Sequence, residues 1–472
     1  MIVSRDTTMA KAITRRQFLG QTAGLAALGA GSCAHSFRSL SGARRPNIVL
    51  IMADDLGYGD VGCYGCSDPP AAGTPAIDKL AGEGVRFTTS YANAPECTPT
   101  RTALLTGRYQ HRVGGLECAL GIGNVGRYDD AIRLRQTNDL GLPVEETTIA
   151  RILKDVGYAT AICGKWHLGY EQKFFPLKHG FDYWFGPVGG AVDYFHHCEY
   201  TGQPSLYLND RPVQRKGYLT DLITDEAVRF IQRQRDNPFF LYVAYTAPHT
   251  PYQGPNDDKP EPIAQADYNK GSRATYAAMI ERMDEGISRI MKMLELAKMT
   301  DNTLVLFTSD NGANKTGRNF PFSGYKGNLF EGGIRVPCIA KWPGVLPEGV
   351  VSNQPCITMD LSKSVVRAAG AKPPKNRRLD GIDILRLVET NQPIQKRTLF
   401  WRARRAERTS KAIRNGSLKY IRLQEGDDVK EYLFDLQQDP REKNNLFSVK
   451  KEDVRRLKIL LEGWEEKVKP KR

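Results

Sequence analysis

The chain has few of the features that settle a protein's class at sight. Beyond the first 45 positions it has no stretch of 18 consecutive apolar residues, so no transmembrane helix is expected there. Its nine cysteines, an odd number, are scattered (Cys33, Cys63, Cys66, Cys97, Cys118, Cys163, Cys198, Cys338 and Cys356) and lack the spacing of a disulfide framework. Cys63 and Cys66 make one Cys-x-x-Cys unit with no second pair and no nearby histidine, which disfavours zinc and leaves an isolated surface pair. The 44 glycines and 27 prolines follow no repeat, and hydrophobic (40%), charged (25%) and aromatic (9%) residues fall in the globular range. Collagen-like, disordered and coiled-coil chains are thereby excluded. At 472 residues the chain suits one large α/β domain with a smaller subdomain.

The formal charge of +14 is unevenly placed. Seven basic side chains against Asp6 in the first 45 residues account for +6 of it. The remaining +8 ends in the basic tail Lys467-Val468-Lys469-Pro470-Lys471-Arg472 and comes with no nucleic-acid-binding motif, so steering of an anionic substrate is the better reading and no nucleic acid is expected. Thr14-Arg15-Arg16-Gln17-Phe18-Leu19, followed by the small apolar run 20–31, has the form of a bacterial twin-arginine export signal. It predicts passage through that export machinery to the periplasm or beyond. Ala30-Gly31-Ser32-Cys33 has the small residues of a lipoprotein cleavage box without the leucine three positions before the cysteine, so a lipid anchor at Cys33 rests on those small residues alone.

What the chain does contain is a repeated pattern of short apolar runs that end abruptly in polar side chains. The run 47–53 meets Asp54-Asp55, 158–163 meets Gly164-Lys165-Trp166-His167, 239–245 leads through Thr246-Ala247-Pro248 to His249, and 303–309 meets Asp310-Asn311-Gly312. Each run reads as a buried parallel strand. Between them, Ile149, Ile152, Leu153 and Val156 share a helical face closed by Gly157. Tyr276, Met279, Ile280, Met283, Ile287, Ile290, Met291 and Leu294 mark a longer amphipathic helix. This alternation predicts a doubly wound, mostly parallel sheet flanked by helices, in which ligands bind beyond the carboxyl ends of the strands. Each polar cluster alone could be a helix cap, a turn or a solvated loop; their convergence on one edge makes a site the better reading.

The segment Ala94-Pro95-Glu96-Cys97-Thr98-Pro99-Thr100-Arg101-Thr102-Ala103-Leu104-Leu105-Thr106-Gly107-Arg108 adds a nucleophile. Pro99 suits a first helical turn, which places Cys97 near a helix amino terminus that favours an anion, with Arg101 one turn on along the same face. A thiol in that setting is expected to be acidic and reactive. The segment resembles the signature of the type I sulfatases, Cys-x-Pro-x-Arg followed by Leu-Thr-Gly. The resemblance extends in family order through Asp54-Asp55-Leu56-Gly57-Tyr58-Gly59-Asp60, Gly164-Lys165-Trp166-His167-Leu168-Gly169, Pro248-His249-Thr250-Pro251, Ser309-Asp310-Asn311-Gly312 and the stretch 324–337 that carries Lys326, so it spans about residues 46 to 340.

The resemblance implies an alkaline-phosphatase-like fold and hydrolysis of sulfate esters, with Cys97 oxidised to formylglycine by a separate maturing enzyme. One hydroxyl of the hydrated aldehyde attacks sulfur, and the other expels sulfate from the resulting hemiacetal. Asp54, Asp55, Asp310 and Asn311 form a hard oxygen set for Ca2+, with Mg2+ behind it, and the residue derived from Cys97 completes the shell. Arg101 and Lys165 hold the formylglycine, His167 removes a proton in the elimination step, and Lys165, Lys326 and His249 bind the sulfate, His249 also protonating the leaving oxygen. A phosphodiesterase or phosphonate monoester hydrolase of the same superfamily is the main rival, although Asp310-Asn311 stands where those enzymes tend to place Asp-His. A non-catalytic binder of sulfated glycans is the other, against which the intact acid/base set argues.

Three regions are expected: an export signal and linker over 1–43, a catalytic domain over 44–385, and a subdomain over 386–472. The last shows short apolar pieces between charged turns from 398 to 434, which predict a small antiparallel sheet, and a charged helix over 451–468. The substrate is expected to be a sulfated carbohydrate. Gly189-Gly190-Ala191-Val192-Asp193-Tyr194-Phe195-His196-His197 mixes glycines, aromatic faces and hydrogen-bonding imidazoles, so His196 and His197 are candidate sugar-binding residues.

Overall fold

A computed structural model describes residues 45–66, 73–123, 125–234 and 237–470. The expected leader over 1–43, with its paired arginines and Cys33, lies outside the described residues.

The strand Asn47–Ala53 is buried at all seven positions because helices cover both faces of its sheet. Ile48, Leu50 and Met52 pack on one side with the helices Cys97–Thr106, Ile149–Lys154 and Thr358–Ala368. Val49, Ile51 and Ala53 pack on the other with Pro75–Gly82, Leu219–Arg233 and Arg273–Leu296. This period-two division between two cores is what a doubly wound sheet requires. In spatial order the sheet runs Val350–Ser352, Val85–Phe87, Cys338–Lys341, Thr303–Ser309, Asn47–Ala53, Phe239–Ala244, Ala159–Gly164, Tyr183–Pro187, Leu206–Leu208 and Arg211–Pro212. The five strands from Thr303–Ser309 to Tyr183–Pro187 are parallel, while Cys338–Lys341 and Leu206–Leu208 run antiparallel to their neighbours in that block.

The register brings the polar clusters together. Ala53 pairs with Ser309, Met52 with Ala244, and Gly164 with Ala244, so Asp54, Asp310, Tyr245 and Lys165 leave adjacent strand ends. Backbone bonds prolong the contact: Asp310 N–H donates to Ala53 O (3.2 Å) and Lys165 N–H to Ala244 O (2.8 Å).

A four-stranded antiparallel sheet, Thr398–Arg405, Arg408–Asn415, Leu418–Glu425 and Asp428–Asp435, follows with the helix Lys451–Lys467. Leu399, Trp401, Ile413, Tyr420 and Leu433 form a core with Tyr91, Ala103, Leu329 and Ile334. Trp401 Nε1 donates to Ala92 O at 2.9 Å. The small sheet therefore buttresses both the segment that leads to Cys97 and the one that follows Lys326. No helix among the described residues is long and apolar enough to cross a membrane. Every described cysteine is free, and Cys63 and Cys66 are half-buried rather than exposed.

Candidate active site

Cys97 is the first residue of the helix Cys97–Thr106, Glu96 preceding it in extended conformation. Its Sγ lies 3.2 Å from Asp54 Oδ1, 4.0 Å from Asp55 Oδ1 and 3.5 Å from Lys326 Nζ. The acidic thiol expected from the helix terminus is not what this setting produces. Burial, then the carboxylates of Asp310 and Asp54, hold the Cys97 thiol well above its ordinary range, and Lys165 and Lys326 do not reverse that. Burial together with nearby negative charge outweighs the dipole of one helix end.

The carboxylates are fully buried and are held by cations. Lys165 Nζ sits 2.5 Å from Asp54 Oδ2, Lys326 Nζ 2.7 Å from Asp55 Oδ1, and Arg101 puts Nε and Nη2 on Asp310 Oδ2 at 3.0 and 2.8 Å. Arg101 Nη1 also reaches the Lys165 carbonyl at 3.3 Å. Burial opposes ionisation of Asp54, but Lys165, His249 and Arg101 overcome it and bring its carboxyl well below the usual range. Asp310 goes the other way, to about 7, through burial and the nearby charge of Asp54. Asp310 thus pays for its burial beside a second carboxylate, a cost that a bound cation relieves. Asn311 Nδ2 donates to Asp55 Oδ1 at 2.7 Å, while its Oδ1 is buried and lacks a hydrogen-bond partner among the described residues. Ligand atoms of Asp54, Asp55, Cys97 and His249 lie within 4.8 Å of one another.

Asp55 (φ 64°) and His167 (φ 56°) adopt the left-handed conformation that side chains with a Cβ seldom take. His167 Nε2 meets Leu120 O at 3.0 Å, which assigns the ring proton to Nε2 and leaves Nδ1, buried and unpartnered, as an acceptor. Burial and Lys165 keep this imidazole neutral, its pKa well below normal. His249 contacts Thr250 O through Nδ1 at 2.7 Å and turns Nε2 toward Asp55 Oδ2 at 3.6 Å. Burial and Lys326 push it down to about 4.

These groups form the floor of a cleft of about 420 Å³. The expected site residues Asp55, Cys97, His167, His249 and Lys326 line it, with Asp54, Arg101, Lys165, Asp310 and Asn311 behind them. His196 and His197 depart from expectation. His197 is buried with Nε2 on Gly217 O (3.0 Å), and His196 spans Asp193 Oδ1 (3.3 Å) and Pro260 O (3.2 Å). Asp193, which accepts the Phe195 and His196 N–H groups at 2.8 Å each, folds the loop back and turns both rings from the cleft. The loop contributes Gly190 and Ala191 instead. Gly190 lies so close to His167 that a Cβ there would fall 2.4 Å from the imidazole. Arg127, Tyr170, Tyr200, Tyr268 and Arg405, which also line the cleft, carry no local sequence signal.

The family model for sulfatases matches residues 46–371, and one described as N-sulphoglucosamine sulphohydrolase, C-terminal, matches residues 325–466. N-acetylgalactosamine-6-sulfatase of Canis lupus familiaris is 36% identical over 379 residues, covering 76% of this chain and 68% of its own length. Steryl-sulfatase of Homo sapiens is 32% identical over 430 residues, covering 74% and 70%. The crystal structure of Ps i-CgsB in complex with k-i-k-neocarrahexaose is 33% identical, with a TM-score of 0.77 over 89% of this chain and 93% of that one. The order of motifs, the buried cysteine among carboxylates and these likenesses agree: the chain belongs to the sulfatase family, the formylglycine type within the alkaline phosphatase superfamily, and is a sulfuric ester hydrolase.

Proposed function

We propose that the protein removes sulfate from a sugar, using Cys97 in its formylglycine form and a divalent cation, Ca2+ ahead of Mg2+, held by Asp54, Asp55, Asp310, Asn311 and the residue derived from Cys97. The observation that carries this reading is Cys97 itself, a helix-start cysteine touching two carboxylates and a lysine at the floor of an open cleft. The unpartnered Asn311 Oδ1 and the three converging carboxylates suit a hard cation, and an oxygen-rich set suits zinc poorly. When present, the cation polarises the sulfate and the hydrated aldehyde supplies the attacking hydroxyl.

The remaining work falls to side chains that the fold holds in place. Lys326 Nζ and His249 Nε2 face the cleft beside Cys97 and grip sulfate oxygens. Lys165 neutralises Asp54, and Arg101 fixes Asp310, so neither carboxylate repels the anion. The unpartnered Nδ1 of His167 accepts a proton at the floor of the site. His249 Nε2 gains a proton as the negative ester arrives and offers it to the departing alcohol oxygen.

A sugar substrate is supported by the polar and aromatic lining of the cleft, which includes Asn269, Asn314, Tyr200 and Tyr268 and suits a hydroxylated ring better than a sterol. It is also supported by the names of the N-acetylgalactosamine-6-sulfatase relatives and of the neocarrahexaose complex. The same reading assigns catalysis to residues 44–385 with 386–472 as a buttress, maturation of Cys97 to a separate enzyme, and export to the paired arginines Arg15 and Arg16. The deciding experiment is sulfate release by matured protein from sulfated mono- and oligosaccharides, with steryl sulfate, aryl sulfate and phosphodiester controls. A clear preference for phosphodiesters over every sugar sulfate would overturn the reading.

A further inference from the structure

The cleft continues outward from Cys97, and its outer half has no part in the chemistry above. Two arginines line that half and are unequally partnered. Arg405, at the tip of the hairpin joining Thr398–Arg405 to Arg408–Asn415, places Nε and Nη2 on Glu96 at 3.2 and 3.0 Å. Its charge is already met. Arg127 lies on the loop that this hairpin covers, where Ala406 N–H donates to the Arg127 carbonyl at 2.5 Å. Among the described residues its guanidinium enters no ion pair. A half-buried arginine in a cleft, without a carboxylate partner, can meet an incoming anion without first giving one up.

The same cleft is lined by a braced aromatic pair. Tyr200 and Tyr268 meet edge to face with centroids 5.7 Å apart. Tyr268 is buried, its hydroxyl donating to Ala191 O at 3.2 Å, whereas Tyr200 is 40% exposed. One ring is thus fixed and supports the other, which leaves a face on which the C–H groups of a pyranose can stack. Asn269, exposed at the rim, adds an amide that can both donate and accept.

We infer that this outer half is a subsite for the sugar adjoining the one that loses sulfate, and that Arg127 selects a neighbour carrying a second anionic group. The inference rests on the sugar-sulfatase reading. A guanidinium fork matches a uronic carboxylate and a second sulfate equally well, so the class recognised is an acidic oligosaccharide.

Four probes separate the possibilities: 6-sulfated N-acetylgalactosamine alone, and the same sugar joined to neutral galactose, to glucuronic acid, or to 4-sulfated galactose. Sulfate release is measured with matured enzyme, and binding by calorimetry with the Cys97→Ala protein, each with and without Arg127→Ala. The two acidic disaccharides should lose about 10- to 100-fold in kcat/KM and in affinity, as expected for a lost hydrogen-bonded charge, while the other two change by less than about threefold. Arg127→Lys should restore part of the loss, and the carboxylate and sulfate arms show which anion fits. Equal losses on all four probes, no loss on any, or failure of the acidic pair to bind better than the neutral pair would overturn the subsite. If no probe releases sulfate while Arg127-dependent binding persists, the reading of this sulfated sugar as the substrate falls and the subsite stands.

Discussion

Arg101 holds Asp310 through two N–H donors on one oxygen, Nε at 3.0 Å and Nη2 at 2.8 Å from Oδ2. The other oxygen, Oδ1, takes the Asp55 N–H at 3.2 Å. Both side chains are buried, at 1% and 0% exposure. The pair therefore couples the helix that starts at Cys97 to two strand ends at once.

Breaking this pair from the arginine side should cost much more than a surface ion pair does. Arg101→Met leaves Asp310 and Asp54 buried with less compensation, and about 3–5 kcal/mol of stability should be lost. Asp310→Asn keeps the shape and should fold, yet abolish turnover. Urea unfolding of both variants checks the contrast, and an Arg101→Met protein within about 1 kcal/mol of the parent contradicts it.

Calcium should stabilise the folded chain by mass action. At 100 times its Kd, an ion that binds only the folded state adds about 2.7 kcal/mol. The thermal midpoint should rise with Ca2+, less with Mg2+, and the rise should shrink in Asn311→Ala, which removes the unpartnered oxygen. A larger rise with Zn2+, indifferent to Asn311, would sink the assignment of a hard cation.

Glu199 makes stability depend on pH near neutrality. Burial outweighs the hydrogen bond from Tyr170 and lifts its carboxyl from 4.5 to about 7. Across that window the folded chain keeps a proton that the unfolded chain releases. The contribution is complete below about pH 4.5 and is lost as pH rises through about 7. Glu199→Gln keeps an oxygen for the Tyr170 hydroxyl and removes the titration. Its stability difference between pH 5 and pH 8 should be smaller than the parent's by about 1–3 kcal/mol. Parallel curves for the two proteins would refute the assignment.

Most of the floor of the site could be read in the sequence because each element announces itself locally. An apolar run that stops at Asp54, Lys165 or Asp310 is visible within ten residues, and parallel pairing then joins what the runs carry. Cys97 and Arg101 share a helix turn, so their relation is local too. The outer cleft is different: Arg405 meets Glu96 across 309 positions, through a hairpin whose charged residues look like any solvated turn. His196 and His197 mislead for the opposite reason. Their composition suits sugar binding, but the hydrogen bonds of Asp193 decide where the rings point, and composition carries no direction. The thiol of Cys97 departs from its expected acidity because the helix end is visible in the sequence, while its burial and the carboxylates of Asp310 and Asp54 arise only through the fold.

Lys419 is fully buried in the small sheet. Its Nζ lies 2.8 Å from Glu331 Oε1 and 2.9 Å from Glu442 Oε1. Glu331 also accepts from Tyr91 and Arg335, and it sits five residues beyond Lys326 on the segment that lines the cleft. Burial and Glu331 raise the Glu442 carboxyl to about 7, so one lysine serves two acids of which only Glu331 is held low, at about 2. Lys419→Met strips both acids of their shared cation and should cost about 3–5 kcal/mol. Glu442 is then a buried acid without its cation, so adding Glu442→Gln, which removes that acid, should recover part of the loss, which a simple cavity would not allow. The Lys326 segment loses its anchor in the single variant, so KM for a sugar sulfate should rise more than kcat falls, and the double variant should reverse some of that rise. Unfolding curves and steady-state kinetics on the four-protein cycle, Glu442→Gln alone included, test both parts. Strict additivity of the two substitutions would mean that the triad does not act as a unit.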